Sequence, residues 1–569
     1  MDLYREVEAL TKELVNIKSV TEAPGEEQRI AEHIYEWYRA RPGMDGEICP
    51  GQPAVRLVET KGDTVKRSSV IAAVKGTKNG GSPSAVILLG HLDTVDIEDY
   101  GAAKELATDP DRLPDALKSM GVSGEVIEDI KSGRYMFGRG ALDMKSGVAS
   151  HMAVMKHFAC HPEELCGSLI AVCECDEEGN SAGVFSCLDE LARMKDALGL
   201  EYAACINSDY STAERSDNSR YIYIGSIGKI LPCFAVFGKE AHVGQVFASL
   251  DPNLITAEIT RRICYGTSFC DSRLGETTLP PVSLKQADTK ESYTVQTALT
   301  SFSYYNVFMY GMGAADVLKK CKKAAEEAMD AAIAQVREAH STWQKMAGAA
   351  LPPLSWRTRV LLWSEYMDEL ESKLGPSFRE ELDAFRARLA EDEPCMDLRT
   401  FSLKTAEEAR RRDPDKSPMV IIFPGSTYYP RVEVSGANAK EKALIDAAKE
   451  AAEEETARAK ACSAGGPDAT EEGLLHPIGV KMFYPYISDS SFMYVCGEGS
   501  DAEALKAEMP AWGVRYTHPE DLISRIDAPV VNIGTFGYDG HMYTERVEKS
   551  HSFSAVPRMI MRTVRELLG

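Results

Sequence analysis

Short, nearly continuous apolar runs recur along this chain, and helical patterns separate several of them. Runs of this kind suit strands that are covered on both faces, as in a sheet between helix layers. The sequence therefore predicts an α/β fold whose catalytic domain has a mixed, largely parallel sheet between helix layers. The apolar runs are residues 53–60, 68–75, 84–90, 168–175, 202–207 and 529–533.

The pattern of apolar and polar residues changes after residue 225. An alternating apolar strand is followed by a helical pattern and then by residues 280–311, which are rich in Thr, Tyr, Val and Phe. This predicts an α+β lid domain at 226–435, inserted between catalytic segments 1–225 and 436–569. Residues 313–415, rich in Ala, Glu, Lys and Arg, are predicted to form a helical extension of that lid.

Length and charge restrict the possible functions. A chain of 569 residues is too long for one simple core, so two or more domains are expected. The net charge of −23 argues against a nucleic-acid surface, which needs a basic face to neutralise phosphates. No apolar stretch reaches the ~20 residues that span a bilayer. The N-terminal sequence lacks the features of a signal peptide, so a cytoplasmic protein is expected.

A His-x-Asp pattern follows the apolar run at 84–90. Residues i and i+2 of a strand point to the same side, so Asp93 would lie beside His91. In the functional interpretation His91 binds a metal and Asp93 fixes the orientation of its imidazole. The alternative is an ordinary surface turn.

Acidic residues mark two further positions. Asp143 follows a glycine-rich segment and immediately precedes a helix, so it is either a plain N-cap or a rigidly held carboxylate that bridges two cations. Asp176, Glu177 and Glu178 end the run at 168–175, and adjacent acids there repel one another unless a cation neutralises them. One carboxylate can then bind metal while its neighbour acts as a general base. The alternative is an exposed acidic turn.

Two more candidates, Asp209 and His541, follow the runs at 202–207 and 529–533. Each alone marks an ordinary transition from strand to loop. Together with the other candidates they matter more, because open α/β sheets bind ligands at the carboxyl ends of their strands. Mixed imidazole and carboxylate ligation suits Zn²⁺, Mn²⁺ or Co²⁺.

This motif set resembles that of the co-catalytic zinc hydrolases, which include carboxypeptidase G, acetylornithine deacetylase and succinyl-diaminopimelate desuccinylase. The family pattern is H-x-D, G-x-x-D-x-K-x-G, D-E-E-G, a lone Asp, and a late G-H followed by an acid, here Glu545. The resemblance implies two zinc-type ions bridged by Asp143 and a cis peptide bond after that residue. The implied metal ligands are His91, Asp143, Glu178, Asp209 and His541.

The resemblance also implies roles for residues that do not bind metal. Glu177 would be the general base and acid, and Asp93 would orient His91. The segment 238–244 resembles the start of the family's lid, so His242 would stabilise the oxyanion, reaching across from a partner subunit in dimeric members. The loop at 487–491 resembles a substrate-side loop but has no Arg nearby.

These features predict a metal-dependent hydrolase of small amides: a dipeptide, or an N-acyl or N-carbamoyl amino acid. The chain length, the 313–415 addition and the long interval between Asp93 and Asp143 are similar to a subfamily with a role in arginine utilisation. A homodimer through the lid is expected from the resemblance. Two alternatives stay open: a non-catalytic relative that binds a small molecule or serves as a scaffold, and an aminopeptidase acting on longer peptides.

Overall fold

The structure is a computed structural model that describes residues 2–213, 219–463, 476–495 and 501–569. It divides into two compact units. The first unit comprises Met1–Ile227, Arg431–Cys496 and Pro519–Gly569, and the second unit comprises Gly228–Pro430 and Gly497–His518. The segment Gly497–His518 thus groups with the second unit, whereas the sequence analysis placed it in the C-terminal part of the catalytic domain.

The first unit is built on an eight-stranded mixed sheet, which confirms the predicted fold class. At its centre, Ser84–His91 is parallel to both Glu201–Asn207 and Ser168–Glu174. Ser168–Glu174 is buried along its whole length, as its continuous apolar sequence predicts. In order across the sheet, the strands are Ile478–Lys481, Arg220–Ile224, Val530–Asn532, Glu201–Asn207, Ser84–His91, Ser168–Glu174, Ser68–Lys75 and Val55–Glu59.

Helices pack against this sheet. Ser146–Cys160 and Val556–Leu568 contact the central strand Ser84–His91, and Glu26–Arg39 and Ala182–Leu198 contact Ser68–Lys75. Ser146–Cys160 is apolar nearly all round and is almost wholly buried, as expected for a core helix. A separate small sheet joins Gly537–Tyr538, Arg546–Glu548 and Tyr135–Phe137. The other α-helices described in this unit are Leu3–Val15, Leu113–Ser119, Gly124–Ser132, Ala439–Ser463 and Glu520–Ile526.

The second unit contains a six-stranded sheet. Its longest strand, Thr300–Met309, pairs antiparallel with Gly228–Ile230, Pro232–Phe237 and Val282–Asp288. The sheet continues from Pro232–Phe237 to Met419–Pro424 and then to Val360–Leu362. The α-helices described in this unit are Pro252–Ile263, Ala314–Ala347, Trp363–Leu374, Ser377–Asp392, Leu398–Arg412 and Ala502–Glu508.

The predicted helical extension over 313–415 contains helices and also one strand. Val360–Leu362 is a strand that runs parallel to Met419–Pro424. Its sequence is apolar enough to complete the sheet, and this pairing with a distant strand outweighs the local helical pattern. In the described part of the chain, no helix is long and apolar enough to cross a membrane.

Candidate metal centre

The carboxyl ends of three parallel strands carry most of the predicted site. His91 is the last residue of Ser84–His91, and Glu178 follows Ser168–Glu174 by a short turn. Asp209 follows Glu201–Asn207. Because neighbouring parallel strands end at the same edge of a sheet, these side chains are brought together there.

Asp143 lies at the middle of the cluster, in a buried turn directly before the helix Ser146–Cys160. Its Oδ1 is 3.0 Å from Nε2 of His91, and its Oδ2 is 2.9 Å from Nε2 of His541. The peptide bond between Asp143 and Met144 is cis, as the resemblance implies. One carboxylate therefore contacts two imidazoles, one through each oxygen.

The ligand atoms form two groups that share Asp143. In the first, the donor atoms of His91, Asp143 and Asp209 all lie within 4.8 Å of one another. In the second, the same is true of Asp143, Glu178 and His541, and Nε2 of His541 is 2.9 Å from Oε1 of Glu178. The structure thus brings together all the residues predicted as metal ligands.

Glu177 and Asp93 lie beside this cluster. A carboxylate oxygen of Glu177 is within 4.8 Å of donor atoms of His91 and Glu178. The Asp93 carboxylate accepts the backbone N–H of Glu177 at 3.2 Å and that of Glu178 at 3.1 Å. Nδ1 of His91 is closer to the Asp93 backbone oxygen, at 3.1 Å, than to the Asp93 carboxylate, at 3.6 Å. The Asp93 backbone carbonyl thus makes the shorter contact with His91, and the Asp93 carboxylate lies near His91 and also holds the acidic loop.

Two glycines permit the close approach of the elements around Asp209. A Cβ atom on Gly147 would lie 2.4 Å from the carbonyl oxygen of Ser208. One on Gly534 would lie 1.7 Å from the carbonyl oxygen of Asp209. A larger residue at either position would collide with the backbone of Ser208 or Asp209.

The charges of the cluster are strongly perturbed. Burial opposes ionisation of Asp143, but hydrogen bonds from His541 and His91 outweigh it and lower the pKa of that carboxyl. Burial opposes protonation of His541, but its hydrogen bonds to Asp143 and Glu178 raise its pKa to about 11. Burial, and then the charge of Asp143, raise the pKa of Asp209 to about 8. Clustered carboxylates with two imidazoles are a donor set that fits divalent cations, which would displace these protons.

Sequence analysis missed two buried acids next to the site. Glu174 pairs in register with His91 on the neighbouring strand, and burial followed by the charge of Glu177 raises its pKa well above the usual range. Asp489 is fully buried and accepts a hydrogen bond of 2.6 Å from the Ser181 hydroxyl. The signal for Glu174 was an acid ending an apolar run; Asp489 lies in the 487–491 loop whose similarity to the family was noted.

Tyr210 is a further neighbour that no sequence pattern indicated. Its backbone N–H donates to Oδ1 of Asp209 at 2.7 Å, and its ring stacks on Tyr486 with the centroids 5.4 Å apart. A Cβ atom on Gly540 would lie 2.8 Å from the Tyr210 ring, so this ring also abuts the turn that precedes His541. Tyr210 thus contacts both Asp209 and the turn before His541.

His242, the predicted oxyanion donor, lies in the second unit. It is exposed, and its Nδ1 accepts the backbone N–H of Gly244 at 3.1 Å. Its backbone pairs with Gln296. Its catalytic role stays a prediction.

Comparisons with known proteins agree with this geometry. Residues 87–484 match the family model described as peptidase family M20/M25/M40. The chain is 33% identical over 576 residues to Protein RocB of Bacillus subtilis, covering 100% of this chain and 96% of that protein. It is 28% identical over 177 residues to succinyl-diaminopimelate desuccinylase of Xanthomonas campestris, covering 31% of this chain and 40% of that protein.

The fold is also similar to that of a solved structure. The M20 family metallo-carboxypeptidase Sso-CP2 of Sulfolobus solfataricus aligns with a TM-score of 0.50 and 11% identity, covering 99% of each chain. The family match spans most of the chain and contains His91, Asp143, Glu178 and Asp209, and the similarity to RocB runs along the full length of the chain, which includes His541. This chain is therefore a member of peptidase family M20/M25/M40 and a metal-dependent hydrolase.

Proposed function

We propose that this chain hydrolyses amide bonds in small substrates: a dipeptide, or an N-acyl or N-carbamoyl amino acid. The observation that carries the proposal is the Asp143 carboxylate, which is shared by the two ligand groups. Such sharing suits a pair of divalent cations, with zinc as the first candidate and manganese or cobalt as alternatives. His91 and Asp209 would complete one position, and Glu178 and His541 the other.

Divalent cations bound there would polarise the scissile carbonyl and lower the pKa of water. Glu177 would accept the proton of the attacking water and pass it to the leaving amine. Burial raises the pKa of Glu177 well above its usual range, which is the direction that favours its uptake of a proton from water. Asp93, through its two hydrogen bonds to the acidic loop, would keep Glu177 in place.

We assign to His242 the stabilisation of the developing oxyanion, either in its own chain or in a second copy of the chain. A hydrogen bond to that oxygen stabilises the transition state more than the substrate, so it acts mainly on kcat. The proposed homodimer forms through the second unit. The strand Val282–Asp288 supports it, because Leu284 on this strand is 57% exposed and Val282 is 36% exposed.

The similarity to a subfamily with a role in arginine utilisation supports a place in arginine or other amino-acid breakdown. We assign the protein to the cytoplasm. Cysteines such as Cys173 and Cys205 are free and buried, which fits a reducing compartment.

A substrate panel tests the proposal. Protein reconstituted with Zn²⁺, Mn²⁺ or Co²⁺ would be assayed on dipeptides, N-acyl and N-carbamoyl amino acids, and longer peptides, with Glu177→Ala as the control. Turnover of the small amides, reduced about 10²–10⁴-fold in the control, is the expected result. Activity that increases with peptide length would identify an aminopeptidase. Binding without turnover of any compound would indicate a non-catalytic protein and would refute the hydrolytic proposal.

A further inference from the structure

Residues 94–138 form a substructure of the first unit with no part in the chemistry proposed above. They contain the helices Leu113–Ser119 and Gly124–Ser132. They also have their own apolar cluster, so this segment is packed rather than loose. The buried members of the cluster are Ile97, Tyr100, Ala103, Ala107, Leu113, Leu117, Val126 and Phe137.

Arg139 follows this segment and is almost fully buried, at 1% exposure. Its guanidinium contacts the segment three times: Nε donates to the Asp96 carbonyl at 3.0 Å, Nη2 pairs with Asp99 at 2.9 Å, and the group lies over the Tyr100 ring at 5.2 Å. Its remaining nitrogen, Nη1, donates to Oε2 of Glu545 at 2.7 Å. Arg139 therefore connects the 94–138 segment to Glu545.

Glu545 carries the connection to the metal cluster. Its second oxygen, Oε1, accepts the backbone N–H of Leu142 at 3.1 Å and that of Asp143 at 3.3 Å. The residue is fully buried, and this costs free energy unless the charge is paired. The guanidinium of Arg139 provides the pairing charge, so a continuous chain of contacts runs from the exposed Asp99 to the backbone of Asp143.

We propose that Asp99 and Tyr100 are positioning residues for Asp143. They fix the guanidinium of Arg139, which fixes the Glu545 carboxylate and so the backbone of the shared ligand. The 94–138 segment would thus tune the metal affinity of the centre without contacting metal or substrate. Residues that bond directly to metal ligands typically contribute about 10–100-fold to metal affinity, and Asp99 and Tyr100 act two contacts further out, so the lower end of that range is expected. The inference rests on the proposed function only in taking Asp143 as a metal ligand.

The test compares Asp99→Asn with Glu98→Gln in the full chain. Glu98 is the neighbouring residue, and its side chain pairs with Lys104 at the surface without contacting Arg139. Zn²⁺ affinity would be measured by competition with a chromogenic chelator, and the unfolding temperature of the metal-free protein by calorimetry. We expect Asp99→Asn to weaken Zn²⁺ binding about tenfold at an unchanged metal-free unfolding temperature, and Glu98→Gln to leave both unchanged.

A second variant, Tyr100→Leu, keeps an apolar side chain in the cluster but removes the ring under the guanidinium. It is also expected to weaken Zn²⁺ binding. Wild-type Zn²⁺ affinity in Asp99→Asn would overturn the inference, whatever happens to the unfolding temperature. Because affinity is measured without substrate, failure of the panel to find a hydrolysed compound would refute the proposed function and leave this result intact.

Discussion

The ligand cluster of the first unit and the His242 loop of the second unit differ in how they are held. Asp143 and His91 are buried, and hydrogen bonds tie each of them to other parts of the first unit. His242 is exposed, and its ring nitrogen Nδ1 accepts a bond from its own loop. Metal binding can therefore be preorganised by the packing of the first unit alone. The oxyanion role proposed for His242 would instead depend on where this exposed loop is placed, within one chain or between two.

The largest effect is expected from Asp143→Ala, which removes the carboxylate common to both ligand groups. Both equivalents of bound metal should be lost together with all turnover, as measured by elemental analysis and by the substrate panel. The exposed carboxylate of Asp189, paired with Lys61, provides the control variant Asp189→Asn. Retention of one full equivalent of tightly bound metal in Asp143→Ala would contradict the proposal that both metal positions share this carboxylate.

Glu177→Ala separates metal binding from chemistry within the first unit. We expect near-normal metal content with turnover reduced about 10²–10⁴-fold, since a general base contributes about that much. Elemental analysis and steady-state kinetics on the same preparation provide the measurement. Wild-type activity in this variant would show that another group takes the proton.

His242→Ala tests the role proposed for the exposed loop of the second unit. Loss of one oxyanion donor should lower kcat by about 10²-fold, with KM and Zn²⁺ affinity nearly unchanged. Mixing this variant with inactive Glu177→Ala then distinguishes the two arrangements, because shared sites in a mixed dimer would regain activity. An unchanged kcat would remove His242 from the mechanism.

The smallest effect is a pH dependence of stability. The folded-state pKa values of Asp209, about 8, and His541, about 11, lie above their ordinary values. The folded metal-free protein therefore binds more protons than the unfolded chain, and its stability decreases as the pH rises through this range. Metal displaces the same protons and binds more tightly at higher pH.

The difference in unfolding temperature between metal-loaded and metal-free protein should therefore widen from about pH 6 to about pH 8. Calorimetry at the two pH values measures it. Glu177→Ala, which keeps the metal ligands, should show the same widening. A difference that narrows with rising pH would mean that the cluster does not bind metal through these groups.

The two units also differ in how far sequence predicts them. Ser68–Lys75 and the other central strands could be predicted from the sequence, because burial on both faces leaves a continuous apolar run. Four ligand residues could be predicted because each follows such a run, and Asp143 because it lies between a glycine-rich segment and a helix. The strand Val360–Leu362 could not be predicted in this way, because its pairing with Met419–Pro424 is a long-range contact that leaves no local pattern.

Within the site, sequence indicated which residues meet but not every contact between them. An H-x-D pattern places Asp93 near His91, yet only the folded loop shows that the Asp93 carboxylate binds the backbone of Glu177 and Glu178. The link from Arg139 through Glu545 to the Asp143 backbone depends on segments that meet only in the folded chain. Such contacts carry no periodic signal in the sequence.

Asp143 and Glu545 lie 402 residues apart in the sequence, yet the second holds the backbone of the first. During synthesis on the ribosome, the chain up to Asp209 can offer His91, Asp143 and Asp209, but neither His541 nor Glu545 exists yet. Both residues are translated long after Asp209. With the ligand set proposed above, the order of translation would make full metal loading a late event, which a chain terminated before His541 could not complete.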